Sequence, residues 1–595
     1  MNKNRVIIVS AAVLLCCGVL FGAAQQEAAV EESGSMFEGV VDIDRSGWEI
    51  GKPGGTFVLA QLSDPKSFNP IVAQEISTTD CTDLMFAGPI GRNQLTLEWE
   101  PQLAESWKVA DDNLSITIKL RKGLKWSDGT PLTAEDVVFT VNEIIKNEGV
   151  TTSTRDSIHV GDEMAEWQLI DSVTYKITFP MVTARMFMIA SVGPMPKHIW
   201  KPVLDEGGAE AINALWGVDA DVSEVVCSGP FTVADYVPNQ KVVFQKNPNY
   251  YQKDEAGNRL PYLDQVIYVI SEDQDTMMAK FLAGETDAYS MRGEDYSVLI
   301  EKKDQMGFTI YNVGPQAGET FITFNQNPIE GDEDGGIEPP TLKWLSKKEF
   351  RVAMAHLIDR ETIINNVYYG FGYPQYSPVW SKSPYYWEGA PDAAYPYDPE
   401  KAKSILDEIG YVDTDGDGRR EDDEGNTISL TLNTNSGNRI REATGTMFTQ
   451  EAANIGIEIN FKPEDFNALV TKLVSTYDWE MILIGLTGGP DPGTGQNVYP
   501  SSGSLHMIEP GQESPRREWE KQVNEAWDEA NLTVDEAQRK SGFQKVQQLW
   551  IENVPWVYTC NQATMHAFKN TWANGKTQPI SDYTFKRTLH RVFMK

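Results

Sequence analysis

From Lys347 to Leu486 the chain alternates between the periods of helix and strand, and that alternation leaves it few folds to adopt. Phe350, Met354, Leu357 and Ile358 fall at i, i+4, i+7 and i+8, one face of an amphipathic helix. Asp398 as N-cap, Pro399 at the first helical position and Gly410 past the end frame a second helix. Ile428 to Leu432, a helix to about Ile455, Ile457 to Phe461, a helix from Pro463, and Met481 to Leu486 then read β, α, β, α, β. Helices between strands cover both faces of a mostly parallel sheet, so an open α/β sheet is expected here. Thr320 to Asn325 adds a strand ahead of it, and a lobe spanning residues 316–562 follows.

A second local unit lies far upstream. Ile116, Ile118 and Leu120 alternate with Thr117, Lys119 and Arg121, the period of a strand with one buried face. Asp128-Gly129 supplies a turn. Thr133, followed three residues later by Asp136, forms an approximate capping box opening a helix that carries Val137, Val138 and Val141.

The chain has 595 residues, more than one hydrophobic core usually serves, so two or three domains are expected. Lys3 and Arg5 precede an apolar run from Val6 to Phe21, and Gly22 and Ala24 stand at the places a signal peptidase reads. Residues 1–24 therefore read as a secretory signal peptide, with an uncleaved anchor as the alternative. Cys16 and Cys17 lack the small residue that normally precedes a lipidated cysteine, so release and lipidation both stay open. Residues 25–51 are acidic and short of apolar clusters, a flexible leader. Outside the cytoplasm disulfides are permitted, yet Cys81, Cys227 and Cys560 are an odd three. Buried thiols are expected, with a Cys81 to Cys227 bridge as the alternative. A formal charge of −35 and the absence of Lys/Arg runs argue against nucleic acid.

Short motifs recur in a fixed order along the chain: Gly54-Gly55-Thr56-Phe57, Phe68-Asn69-Pro70, Pro101 to Trp107, the Leu120 to Phe139 unit, Ser228-Gly229-Pro230-Phe231, Asn247 to Tyr251, Gly284 to Asp287, Ile358-Asp359-Arg360 and Asp398 to Ala402. Together they resemble the family 5 extracytoplasmic solute-binding proteins, the peptide, oligopeptide or oligosaccharide receptors of ABC importers. The resemblance implies an α/β, bilobal periplasmic-binding-protein fold (type II, large peptide-binding-protein-like) with an extra small α+β domain. Residues 52–88 with 226–315 and 563–595 would form lobe I, residues 89–225 the small extra domain, and residues 316–562 lobe II. It further implies a monomer in the periplasm that binds without chemistry, closes its lobes around a peptide or oligosaccharide, and delivers it to a membrane permease. A secreted hydrolase acting on oligomers is the alternative from another class.

In peptide-binding relatives an aspartate in an Asp-Pro element pairs with the ligand's α-ammonium; Asp491, in Gly488-Gly489-Pro490-Asp491-Pro492, is the match, and an Asp-Pro that merely starts a turn is the other reading. Apart from His506, the stretch after it, including Asn497 and Tyr499, offers amides, hydroxyls and rings in place of the Arg, Lys or His that would take a peptide carboxylate. That set suits a carbohydrate. Trp380 is expected to face the cleft, with a staple on the domain surface as the alternative, and Ser77 and Thr79, in the segment Gln74 to Asp80, match a lobe I edge that touches ligand in relatives.

One motif stands apart. Asp413, Asp415, Asp417, Gly418 and Glu424 fit D-x-D-x-D-G-x5-E, with the Arg419 carbonyl and Glu421 filling the remaining places of a Ca²⁺ loop. A plain polar turn is the other reading. Such a calcium would be structural, and no cofactor is otherwise required. Six scattered histidines, and no G-x-S-x-G, P-loop or H-E-x-x-H, give catalysis little support.

Overall fold

The computed structural model describes residues 39–43, 46–328, 336–576 and 585–595. The apolar amino-terminal run, most of the acidic leader and part of the loop before Pro340 lie outside the described residues.

The alternation downstream of Lys347 becomes one five-stranded sheet in the order Glu458–Glu464, Ser429–Asn435, Met481–Thr487, Gly318–Phe324, Trp556–Tyr558. The first three strands run parallel and the last two pair antiparallel. Successive side chains of a strand point to opposite faces, and each face has its own core. Leu432, Met481 and Leu483 pack with Phe350, Phe448 and Ala452 on one side. Phe321, Ile482 and Ile484 pack with Trp527, Phe543 and Trp550 on the other. One boundary differs from the sequence reading. Pro463 lies inside the strand Glu458–Glu464, and the helix starts at Phe466 behind Asp465 as N-cap. Proline is tolerated there because this is an edge strand, with no neighbour needing its missing N–H.

The upstream unit forms as its residues dictate. Ser115–Leu120 sits inside a four-stranded antiparallel sheet with Ala104–Val109, Thr174–Thr178 and Glu166–Asp171, and Ile116, Ile118 and Leu120 are fully buried. Thr133 and Asp136 close the capping box on the helix Ala134–Phe139, the Thr133 N–H donating to Asp136 Oδ2 at 2.8 Å. The helix continues as a wider π turn over Thr140–Ile145 that buries Val141, Ile144 and Ile145. The apolar core of this sheet is continuous with that of a second four-stranded sheet built from Phe231–Val237, Lys241–Lys246, Gln265–Ile270 and Thr56–Gln61: Ile118 and Tyr175 share one cluster with Phe57 and Tyr268. The small region is thus fused to lobe I through its core rather than tethered to it.

The strands Phe308–Pro315 and Cys560–Lys569 pair antiparallel in a separate sheet. Each passes within a few residues into the lobe II sheet, at Gly318 and from Tyr558. These two crossings form the hinge. The Gln316 N–H donates to the Gln562 carbonyl at 3.1 Å and the Thr559 N–H to Thr320 at 3.0 Å, so both crossings are stitched together. Cys81, Cys227 and Cys560 are all buried free thiols, and no bridge joins Cys81 to Cys227. Among the described residues no helix is long and apolar enough to cross a membrane.

Candidate functional site

Lobe II meets lobe I and the small region mostly through polar contacts, and its two cores stay separate from the large lobe I core; the exceptions include Leu532, which packs against that core, and Phe371, which joins a cluster with Phe281, Tyr289 and Phe308. Lys66 Nζ donates to Thr471 Oγ1 at 3.0 Å, Arg439 Nη1 meets Asp275 at 2.9 Å, the Ser504 N–H donates to Asp156 at 2.8 Å and the Ala184 N–H to the Asn531 carbonyl at 2.9 Å. Away from Leu532 and Phe371, such a seam can open without breaking apolar packing, as hinge closure requires.

At the middle of the seam Asp491 follows the strand Met481–Thr487 and caps the short turn Pro492–Gly495, accepting from the Gly493 N–H at 3.0 Å. Its carboxylate has two further partners: Arg539 Nη2 at 2.7 Å from lobe II, and Arg92 Nη2 at 3.3 Å from the small region. Arg539 is fixed by Tyr385, donating to its hydroxyl at 2.8 Å and stacking over its ring at 4.9 Å. Arg92 stacks over Trp99 at 4.4 Å. Arg185 lies in the same seam, donating to Gln496 Oε1 at 2.7 Å and to the carbonyls of His159 and Ser157. Burial pushes the Arg185 guanidinium down to about 10, and it lowers Arg92 as well. A carboxylate holding two guanidiniums has its charge answered by protein. In this closed arrangement Asp491 is a strut between the lobes, where the sequence reading made it a free acceptor for a ligand ammonium.

The loop after Asp491 is also less open than its polarity suggests. Val498, Tyr499, Met507 and Ile508 turn inward and join the lobe II core. Tyr499 packs against Trp527, Trp550 and Trp556, and its hydroxyl bonds to Glu319 and to the Pro378 carbonyl. It is a core residue and not a ring offered to ligand. Asn497 is half-buried, its carbonyl accepting from the Leu505 N–H at 2.8 Å. Ser77 is buried on the helix Ile76–Met85, whereas Thr79 is only half-buried.

Trp380 stands at the hinge. Its indole N–H donates to the Pro315 carbonyl at 3.2 Å, and the ring is 9% exposed. It lines a narrow hollow of about 20 Å³ with Tyr373, Tyr376, Tyr386, Gln375 and Asn561. Aromatic faces and amides converge there, and no charged side chain lines it.

Comparison with known proteins decides the class. Residues 98–505 match the family described as bacterial extracellular solute-binding proteins, family 5. The chain belongs to that family. A Deinococcus radiodurans protein named "Probable ABC transporter-binding protein" is 32% identical over 550 residues, covering 87% of this chain and 89% of its own. The oligopeptide-binding protein AppA of Bacillus subtilis, solved with a nonapeptide, superposes with a TM-score of 0.77 at 22% identity over 92% of this chain and 100% of its own. MelB of Agrobacterium fabrum, solved with stachyose, gives 0.80 at 20% identity over 93% and 87%. At those identities the two structures establish the bilobal fold, and the family is one of binding receptors of ABC importers rather than hydrolases.

For this family 5 receptor the sequence reading missed Arg92, Arg185 and Arg539, which surround Asp491, and Tyr373, Tyr376, Tyr386, Gln375 and Asn561, which surround Trp380. No local signal marks the arginines, which come from three distant segments. The tyrosines carried a faint one, an aromatic-rich run from Phe371 to Tyr386 immediately around Trp380.

In the acidic loop, carboxylate oxygens of Asp413, Asp415 and Glu421 come within 4.8 Å of one another. Two of the other expected positions go elsewhere. Glu424 is drawn to Lys343 Nζ at 2.7 Å, Asp417 pairs with the Arg419 side chain at 3.2 Å, and that side chain also reaches Glu458. The twelfth-position glutamate of the motif is thus outside the cluster, because a lysine from the helix Thr341–Ser346 neutralises it together with Asp423.

Proposed function

We propose that the chain is a periplasmic receptor that binds a neutral, hydroxyl-rich oligosaccharide between its lobes, without turning it over, and presents it to an ABC permease. The observation carrying the choice of ligand is the lining of the hollow at the hinge, Trp380, Tyr373, Tyr376 and Tyr386 beside the amides of Gln375 and Asn561; at about 20 Å³ it holds about one water with the lobes as they stand, so a sugar would meet these groups only once the seam opens. Sugar C–H faces pack on aromatic rings and sugar hydroxyls exchange hydrogen bonds with amides, and neither needs a charged partner. The engagement of Asp491 by Arg92 and Arg539 points the same way, since a peptide ammonium would have to displace two guanidiniums to reach it. Opening of the polar seam would admit the solute, and reclosure would remove it from water.

A thermal-shift screen of the protein against α-linked and β-linked oligosaccharides and against peptides of two to nine residues tests the assignment. A ligand at 100 times its dissociation constant adds roughly 2.7 kcal/mol of stability, a clear rise in melting temperature. Oligosaccharides should give that rise, and Trp380→Ala should abolish it. A rise with peptides alone would overturn the sugar assignment and leave the receptor role intact. Release of shortened sugars from the bound oligosaccharide would overturn binding without chemistry.

A further inference from the structure

The loop between the helix Pro399–Glu408 and the strand Ser429–Asn435 plays no part in the hinge or the seam. It enters the amino end of Ser429–Asn435, whereas the loop bearing Asp491 leaves the carboxyl end of the parallel strand Met481–Thr487. The two loops therefore sit at opposite edges of the lobe II sheet.

We infer that Asp413, Asp415 and Glu421 form a Ca²⁺ site of low affinity that clamps this edge of lobe II, with Glu421 in the role the sequence motif gives to Glu424. The chain curls tightly here: Gly416 and Gly418 take φ of 83° and 90°, a region that disfavours side chains. The curl brings carboxylate oxygens of the three residues within 4.8 Å of one another. Curl and acidity alone would describe a polar turn. The decisive feature is Glu421, only 4% exposed between the bridges that tie it to Val412 and Thr427. Its Oε2 accepts from the Thr414 N–H at 2.8 Å and the Thr414 hydroxyl at 2.7 Å, which fixes the plane of the carboxylate. Its Oε1 is buried without a hydrogen-bond partner. A buried carboxylate oxygen left unpaired is costly unless a cation faces it. The cations nearby are committed to other acids, Arg419 to Asp417 and Glu458, and Lys343 to Asp423 and Glu424.

The chemistry selects the ion. All the donors are hard carboxylate oxygens, with neither thiolate nor imidazole, which suits Ca²⁺ rather than Zn²⁺. Three carboxylates leave several coordination positions to water and backbone carbonyls, so the affinity belongs with extracellular calcium modules, about 0.1–1 mM. A flexible loop completed by water also fits the longer, less demanding coordination of Ca²⁺ better than the strict octahedron of Mg²⁺.

The test uses the full chain after chelator treatment, titrated with Ca²⁺ and in parallel with Mg²⁺, and followed by calorimetry and by melting temperature at fixed ionic strength. Ca²⁺ should bind one ion per chain and raise the melting temperature, with Mg²⁺ at least about tenfold weaker. Asp415→Asn, at an exposed position where folding is not at risk, should weaken Ca²⁺ binding by about tenfold or more through loss of one ligand charge. Glu421→Gln should remove it, and Glu424→Gln should leave it within about twofold, because that carboxylate is held by Lys343. The assignment is overturned if Ca²⁺ gives neither heat nor stabilisation. It is equally overturned if Mg²⁺ matches Ca²⁺, if Asp415→Asn binds as the wild type does, or if Glu424→Gln loses as much as Asp415→Asn.

Discussion

Glu319 offers a quantitative test of how lobe II is built. It is the second residue of the strand Gly318–Phe324, immediately after the first hinge crossing, and is 7% exposed. Its Oε1 meets the Tyr499 hydroxyl, its Oε2 is buried without a partner, and the titratable groups around it are Tyr499 and Tyr558. Burial pushes its pKa from an ordinary 4.5 up to about 8. The neutral carboxyl also completes the hydrogen bonding, because it can donate to Tyr499 while Tyr499 donates to the Pro378 carbonyl 3.0 Å away. The folded pKa lies above the unfolded one. The stabilisation from Glu319 is therefore complete below about pH 4.5 and is lost as the pH climbs through about 8. At about 1.36 kcal/mol per pH unit the ceiling is roughly 5 kcal/mol, and relaxation around the ionised group should reduce it to about 2–4 kcal/mol. Glu319→Gln removes the titration and keeps a neutral donor. Urea unfolding from pH 5 to 9, followed by tryptophan fluorescence, should show wild-type stability falling relative to the variant by that amount. A wild-type minus variant difference that stays constant within about 0.5 kcal/mol over that range would refute a neutral buried carboxyl.

Three further outcomes follow from the geometry. Arg539→Met leaves Asp491 buried with only the half-exposed Arg92 and should cost about 3–5 kcal/mol in chemical denaturation; Arg92→Met should cost nearer 1 kcal/mol but loosen the seam, read as a larger radius of gyration in solution scattering. Thr133→Ala removes one half of the capping box and should lower stability by about 1 kcal/mol, while an unchanged melting temperature would show that the π turn, rather than the cap, anchors that helix. Of the five cysteines, the three within the described residues, Cys81, Cys227 and Cys560, are buried, and burial pushes Cys560 up to about 12, so a thiol reagent followed by peptide mapping should label none of these three before unfolding; rapid labelling of any of them in the native protein would contradict the packing.

Much of the fold was legible because it is written in local periods. Ile116, Ile118 and Leu120 announce a strand with one buried face, Thr133 and Asp136 announce the helix that follows, and Asp398 with Pro399 announces another. Each signal depends on residues within four positions of one another, and each element appears where expected. Pro463 misled the strand boundary because proline reads as a helix start when nothing says which strand lies at the edge. That is a property of sheet order, decided by Ser429–Asn435 pairing on one side only of Glu458–Glu464.

The candidate site was far less legible. Tyr499 and Trp380 look alike in sequence, aromatic residues in polar loops, yet one is sealed among three tryptophans and the other lies on the hinge. Glu421 and Glu424 are both acidic positions of one motif, yet Lys343, about eighty residues away in the chain, draws only Glu424 into an ion pair. Asp491 could be read as a free anion until Arg92 and Arg539 were placed against it from segments some 400 and 48 residues distant.

By itself, then, the sequence determined the α/β alternation, the family resemblance, the caps and the acidic loop, because those depend on short-range backbone preferences and on the order of motifs along the chain. Tertiary structure alone decided which charges are already paired, which rings are core and which oxygens are left unsatisfied. Pairing and burial depend on which distant segments meet, and in a chain whose first lobe is assembled from separated stretches and whose seam joins residues hundreds of positions apart, no local pattern carries that information.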